Sequence, residues 1–360
     1  MQVVKTEAIA LQKSVRDDIN VMLANYFKDK TAESSALAAQ YGRLWQIMSN
    51  LNQAGGKRLR SYMVVLAYLC FEGKDQRAIL PVAASWELLH LSMLIHDDII
   101  DNDLIRYGVD NVAGSYNEVY KNSLSDPTRR SHHATAAALL AGDLALSAAH
   151  DIVLRSDLPM STKIRAQRNL IKATFVVAGG ELLDTEAALY PIMEADPLLI
   201  ARLKTASYSF IGPLTTGAML AGASSTMINE MARLGEVLGC AFQLADDLIG
   251  VFGDPAVTGK STTGDLSEGK RTYLLQQTFQ SCTEADTAVL NRLIGKPSLS
   301  DAEAETLRAI IVRTGAKKQL EDLIAAYAAE ARRIVSEIGI PADCRDNLDA
   351  LIVATTERTY

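Results

Sequence analysis

Apolar residues recur along this chain with the three-and-four spacing of amphipathic helices rather than the alternation of half-buried strands. Helical patterns cover residues 3–27, 34–52, 57–72, 77–103, 133–154, 160–187, 195–221, 226–252, 271–294, 301–312 and 315–338. Pro127, Pro159, Pro191 and Pro197 punctuate the connections. Pro213 falls inside a run and predicts a kink or break there. The 77–103 and 226–252 runs are apolar nearly all round, the pattern of central helices. Strand-like alternation is almost absent, and the Asn-Gly hairpin signal is missing. The pattern predicts an all-α fold. With no linker rich in Pro, Gly or Ser and no clear repeat, residues 1–360 read as one domain. Segments 104–132 and 253–270 read as polar loops, a length often used for lids.

Composition adds limits. Ala and Leu are abundant, which favours helix. A formal net charge of −7 argues against a nucleic-acid binder, which carries a basic footprint. The N-terminal stretch is amphipathic and interrupted by charge, so it reads as an ordinary first helix and not a signal segment. No uninterrupted apolar stretch is expected to span a bilayer. Cys70, Cys240, Cys282 and Cys344 lack metal-ligand spacing, and Cys70 and Cys240 lie in apolar runs as buried thiols would. A reducing, cytoplasmic location is expected.

Both central runs carry aspartates. The first contains HDDIIDND, with Asp97, Asp98, Asp101 and Asp103; the second contains FQLADDLIGVFGD, with Asp246, Asp247 and Asp254. Carboxylates set in an apolar wall are costly unless cations compensate them. Magnesium takes a few carboxylate oxygens and leaves its other positions to water and phosphate. Asp97 and Asp101 share a helix face, as do Gln243 and Asp246. An isolated acidic run is often a solvated helix face, but two in apolar sequence point to a metal-bound diphosphate. Cations suited to such an anion stand in GGKRLRS, where Lys57, Arg58 and Arg60 open a helix. Others are Arg106, Lys204, Lys260 and Lys270.

At this point the chain resembles the trans-isoprenyl diphosphate synthases, or polyprenyl synthetases. The matching elements are GGKRLR at 55–60, HLSMLIHDDIID at 90–101, AGDLAL at 141–146, KTASYSFIGP at 204–213, FQLADDLIG at 242–250 and GKSTTGDLSEGKRT at 259–272. The resemblance implies an all-helical bundle of about 10–13 helices around a central cavity, a homodimer, and three magnesium ions per active site. It implies condensation of isopentenyl diphosphate with an allylic prenyl diphosphate. Asp97, Asp101 and Asp246 would be direct magnesium ligands, supported by Asp98 and Asp247. Arg106, Lys204 and Lys260 would hold the allylic diphosphate, with Lys270 nearby. Lys57, Arg60 and His90 would hold isopentenyl diphosphate. Thr205 and Gln243 would face the developing cation, and Asp184 would stand near the cavity.

Two positions depart from the family pattern. Gly250 stands where a third aspartate is usual, and Tyr107 where a second arginine is usual. Tyr107 offers a hydroxyl but no charge, which would weaken binding of isopentenyl diphosphate. The positions one turn before Asp97, Ser92 and Met93, with Leu89 a further turn away, would shape the product tunnel. Small Ser92 and flexible Met93 leave it open, so a product of geranylgeranyl length or longer is expected. A class I terpene cyclase, or a prenyltransferase using another acceptor, would keep the aspartates without needing GGKRLR and His90. A non-catalytic regulatory subunit would not need Lys204, Thr205 and Gln243.

Overall fold

The computed structural model describes residues 2–254 and 262–357. Among these, every regular element is helical except one short hairpin, so the fold is all-α as the periodicity predicts. The chain divides into two compact units. One comprises the residues up to 171 together with 216–223; the other comprises 172–215 together with the described residues from 224 onward.

The first unit holds α1 (Gln2–Leu37), α2 (Ala39–Ala54), α3 (Leu59–Cys70), α4 (Gln76–Ile100), β1 (Ile105–Arg106), β2 (Val109–Asp110), α5 (Val112–Tyr120) and α6 (Pro127–Leu154). Helix α7 (Met160–Ala187) follows. Helix α4 is the spine and packs against α3 and α6. It buries Trp86, Leu88, Leu89 and Ile95. The facing side of α6 is built from Ala134, Ala138, Ala141, Gly142 and Ala145, small residues that let the helices approach closely. A Cβ on Gly142 would collide with the His96 ring.

The 104–132 segment is more ordered than a loop. Ile105 pairs with Asp110 and Arg106 with Val109 in an antiparallel hairpin. Its two-residue turn, Tyr107-Gly108, has positive φ at both positions, 57° and 76°, the geometry that matches strand twist. Asn111 then caps α5 by accepting from the Gly114 amide, and Asp126 caps α6 ahead of Pro127.

The second unit holds a 3-10 turn (Ile192–Glu194), α8 (Pro197–Ile200), a π-helical segment (Ala201–Ile211) and α10 (Ser225–Phe252), with α9 (Gly212–Leu220) between the last two. After them come α11 (Gly264–Glu268), α12 (Tyr273–Ser281), α13 (Glu284–Leu293), α14 (Asp301–Arg313), α15 (Ala316–Glu337) and α16 (Ala342–Thr356). The run expected as one helix over 195–221 is therefore three segments. The Gly212 amide donates to the Ser207 carbonyl five residues back, and Pro213, with no N–H, follows at the start of α9. The 271–294 run breaks where Thr283 caps α13. Helix α16 was not expected, because the polar DCRDN stretch masks its buried face of Cys344, Leu348, Leu351 and Ile352. Core packing gathers Leu244, Leu248, Leu274, Leu275, Leu307, Ile311 and Leu320.

Helices α4 and α6 reach, by length and composition alone, what a membrane crossing needs, a test that buried core helices also pass. Within their most apolar windows 72% and 50% of residues are buried in the protein, the use a core helix makes of such sequence. Cys70, Cys240 and Cys344 are buried.

Candidate active site

The C-terminal end of α4 concentrates negative charge. Asp97 and Asp98 lie in its last turn and Asp101 is its C-cap, its amide donating to the Asp97 carbonyl. The helix dipole is also negative there, so cations are favoured. One arrives from the hairpin: Arg106 Nε donates to Asp98 Oδ1 at 2.7 Å and Nη2 to Asp97 Oδ2 at 3.2 Å, with a second, very short bond to Asp98. Asp98 is buried. Burial outweighs the pull of Arg106 and, with Asp97 beside it, pushes its carboxyl up to about 6.

A basic cluster shares this unit. Lys57 is exposed, on the turn before α3. Burial, then the guanidiniums of Arg60, Arg106 and Arg58, hold the His90 imidazole well below its usual pKa. It is therefore neutral at pH 7, a hydrogen-bonding group rather than a charge. Arg60, expected with His90 on isopentenyl diphosphate, and Arg106, expected on the allylic diphosphate, both lie near enough to act on the imidazole. Arg58, by contrast, is buried. Tyr107 lays its ring against Gly55, where a Cβ would come within 2.5 Å of it. The residue replacing the usual arginine thus packs on the glycine turn that carries Lys57.

In the second unit α10 meets the π-helical segment through two glycines. A Cβ on Gly235 would lie 2.7 Å from the Ile211 Cα, and one on Gly239 would collide with Ala206. Gln243 follows one turn later on the same face. Thr205 Oγ1 donates to Gln243 Oε1 at 2.5 Å, and Gln243 Nε2 donates to Asp247 Oδ1 at 2.9 Å. Lys204 Nζ donates to Asp184 Oδ2 at 2.6 Å and Glu181 Oε1 at 3.0 Å. The backbone of Lys204 packs so tightly on α7 that a Cβ on Gly180 would collide with it. Burial, then the charge of Asp265, push the Asp247 carboxyl up to about 8, with Asp246 and Asp184 adding to it and the Gln243 bond opposing.

Asp265 and Glu181 were not singled out by sequence. Asp265 bears on Gly250: a Cβ at 250 would collide with the Asp265 carboxylate of α11. Lys270 pairs with Glu268 at 3.0 Å and lies 3.8 Å from Asp265. Lys260 lies outside the described residues. Of the tunnel positions, Leu89 and Ser92 are fully buried, and Ser92 donates to the Gly142 carbonyl of α6 at 2.9 Å. Met93 is partly exposed, one turn before Asp97.

A model of the polyprenyl synthetase family matches residues 41–311. The geranylfarnesyl diphosphate synthase of Aeropyrum pernix is 32% identical over 315 residues, covering 86% of this chain and 92% of that protein. The geranylgeranyl diphosphate synthase of Sulfolobus acidocaldarius is 30% identical over 287 residues, covering 78% and 81%. A crystal structure of geranylgeranyl pyrophosphate synthase from Corynebacterium glutamicum, complexed with isoprenyl diphosphate and magnesium, superposes with a TM-score of 0.87 at 30% identity, covering 97% and 98%.

Proposed function

The chain belongs to the polyprenyl synthetase family, and on that footing we propose that it is a cytoplasmic, homodimeric, magnesium-dependent trans-prenyltransferase. It condenses isopentenyl diphosphate with an allylic diphosphate, releases diphosphate and makes a product of geranylgeranyl length or longer. The observation that carries this reading is Arg60 beside His90, a basic group additional to Arg106, in the unit that also holds Asp97 and Asp98. An enzyme that only ionised an allylic diphosphate would need no such second basic group.

The residues fit magnesium. Asp97, Asp98, Asp101 and Asp246 offer hard carboxylate oxygens. Asp247, crowded by Asp265 and Asp246, gains from a nearby cation. The chemistry that bound magnesium supplies is neutralisation of charge on the departing diphosphate. Arg106 and Lys204 hold that leaving group by charge-assisted bonds. Thr205 donates a hydrogen bond to Gln243, which leaves the hydroxyl lone pairs to face the allylic cation. Lys57, Arg60 and neutral His90 orient isopentenyl diphosphate so that its double bond meets the cation. Apolar walls exclude water that would otherwise capture it. The proton then lost from the condensed chain passes to the released diphosphate.

Purified protein given magnesium, isopentenyl diphosphate and each allylic diphosphate in turn should yield elongated prenyl diphosphates, identified by mass. Asp97→Ala and Asp246→Ala should each cut turnover by about 100-fold or more with the helical circular-dichroism spectrum intact, and a chelator should abolish activity. A loss of about tenfold or less in either variant would overturn the assignment.

A further inference from the structure

Arg58 stands between Lys57 and Arg60, the cations assigned to isopentenyl diphosphate, yet its own side chain is buried. Its backbone is left-handed, with φ 49°, a conformation an L-residue keeps only where its surroundings hold it. Those surroundings are specific. Arg58 Nε donates to Asn20 Oδ1 on α1 at 2.8 Å. Its Nη1 and Nη2 donate to Asn52 Oδ1 and the Asn52 carbonyl on α2 at 3.3 and 2.7 Å. Nη1 lies 3.8 Å from Glu87 Oε2 on α4. The other Glu87 oxygen accepts from the Ser61 amide at 3.0 Å, one of the first-turn N–H groups of α3 that lack a partner within the helix. Gly56, with φ +111°, lies over the guanidinium, where a Cβ would come 3.2 Å from Nη1. One side chain therefore ties α1, α2 and α4 to the turn that presents Lys57. Glu87 is three residues before His90, on the same face of α4.

We propose that Arg58, seated on Glu87, is a positioning residue for isopentenyl diphosphate: it holds Lys57, Arg60 and His90 in register without touching the substrate. This rests on the prenyltransferase reading. The competing account is that the buried pair only holds the fold. The two accounts separate in the kinetics: a purely structural pair would cost stability and leave the relative substrate constants alone, whereas a positioning pair raises the constant for isopentenyl diphosphate above that for the allylic substrate.

The experiment compares wild type with the double variant Arg58→Met/Glu87→Met and the single variants Arg58→Lys and Glu87→Gln. In the double variant the thermal midpoint should fall, because the buried Ser61 amide and Asn52 lose their partners, so kinetics are read well below it. The variant's KM for isopentenyl diphosphate should rise about tenfold or more, with kcat and the allylic KM within about twofold. Arg58→Lys, which keeps the charge but not the fork, should fall between. A wild-type KM in the double variant, or equal rises for both substrates, overturns the positioning role. Should the double variant not fold, an unchanged isopentenyl KM in both single variants overturns it as well. Calorimetric binding of isopentenyl diphosphate to wild type separates the levels. If wild type neither binds nor consumes it, the functional reading fails and this role with it. If wild type does both and the variants match it, only the positioning role fails.

Discussion

Partial burial, with the guanidiniums of Arg60, Arg106 and Arg58 nearby, keeps the His90 imidazole neutral at pH 7. The same shift fixes a sign for stability. An unfolded histidine titrates near 6.5, whereas this one resists the proton when folded, so the unfolded chain binds more protons below that pH. His90 costs nothing above about pH 6.5 and imposes a growing penalty as the pH falls toward its folded pKa. His90→Gln should therefore lose less thermal stability than wild type between about pH 7.5 and about pH 5. An equal or larger loss would mean that the imidazole is not held neutral. Met93 makes the second residue-scale prediction. Ser92 is spent on α6, donating to Gly142, so a large side chain there must first repack two helices. Met93 lies on the Asp97 face and is partly exposed. Met93→Phe should shorten the product, read by mass, and an unchanged distribution would remove Met93 from the tunnel wall.

The meeting of α10 with the π-helical segment is what aligns Thr205, Gln243 and Asp247. Gly239→Ala forces a methyl onto Ala206 and should cost about 1–3 kcal/mol, measured by urea denaturation. It should also lower kcat, because Thr205 is pushed off Gln243; wild-type kcat in a destabilised variant would show that the hydrogen bond is dispensable. The same region shows what sequence could and could not reveal. The long helices were legible because their apolar faces repeat, and the aspartates because they interrupt apolar runs. The π register was not, since one wider turn per few residues does not change which residue types appear. Nor was the hairpin: its strands are two residues each, and Tyr-Gly lacks the Asn-Gly cue. Nor was the inward turn of Arg58, because three cations in a row look alike until the backbone separates them. Asp265 was missed because it lies on another helix from Gly250.

At the scale of the molecule the unexplained surface is apolar. In the first unit Leu139, Leu140, Ile164 and Ile171 are exposed; in the second, Phe175 is 81% exposed and Leu182 58%. Phe175 and Leu182 are seven apart, on one face of α7. Scattered apolar residues are normal on a surface, whereas a bare phenylalanine and a leucine on one helix face are what a partner would cover. On α6, Leu139, Leu140 and Leu154 are each more than half exposed. A second copy of this chain would cover such a face on both partners at once, as two-fold symmetry requires. Obligate homodimers bury roughly 2,000 Å² or more and are the more hydrophobic class of interface, so two charges placed in that face should be decisive. Phe175→Glu/Leu182→Glu should halve the mass seen by sedimentation at micromolar concentration, while the circular-dichroism spectrum stays helical. A wild-type chain that already sediments as a monomer, or a double variant that remains a dimer, would assign the apolar face to something other than a second copy.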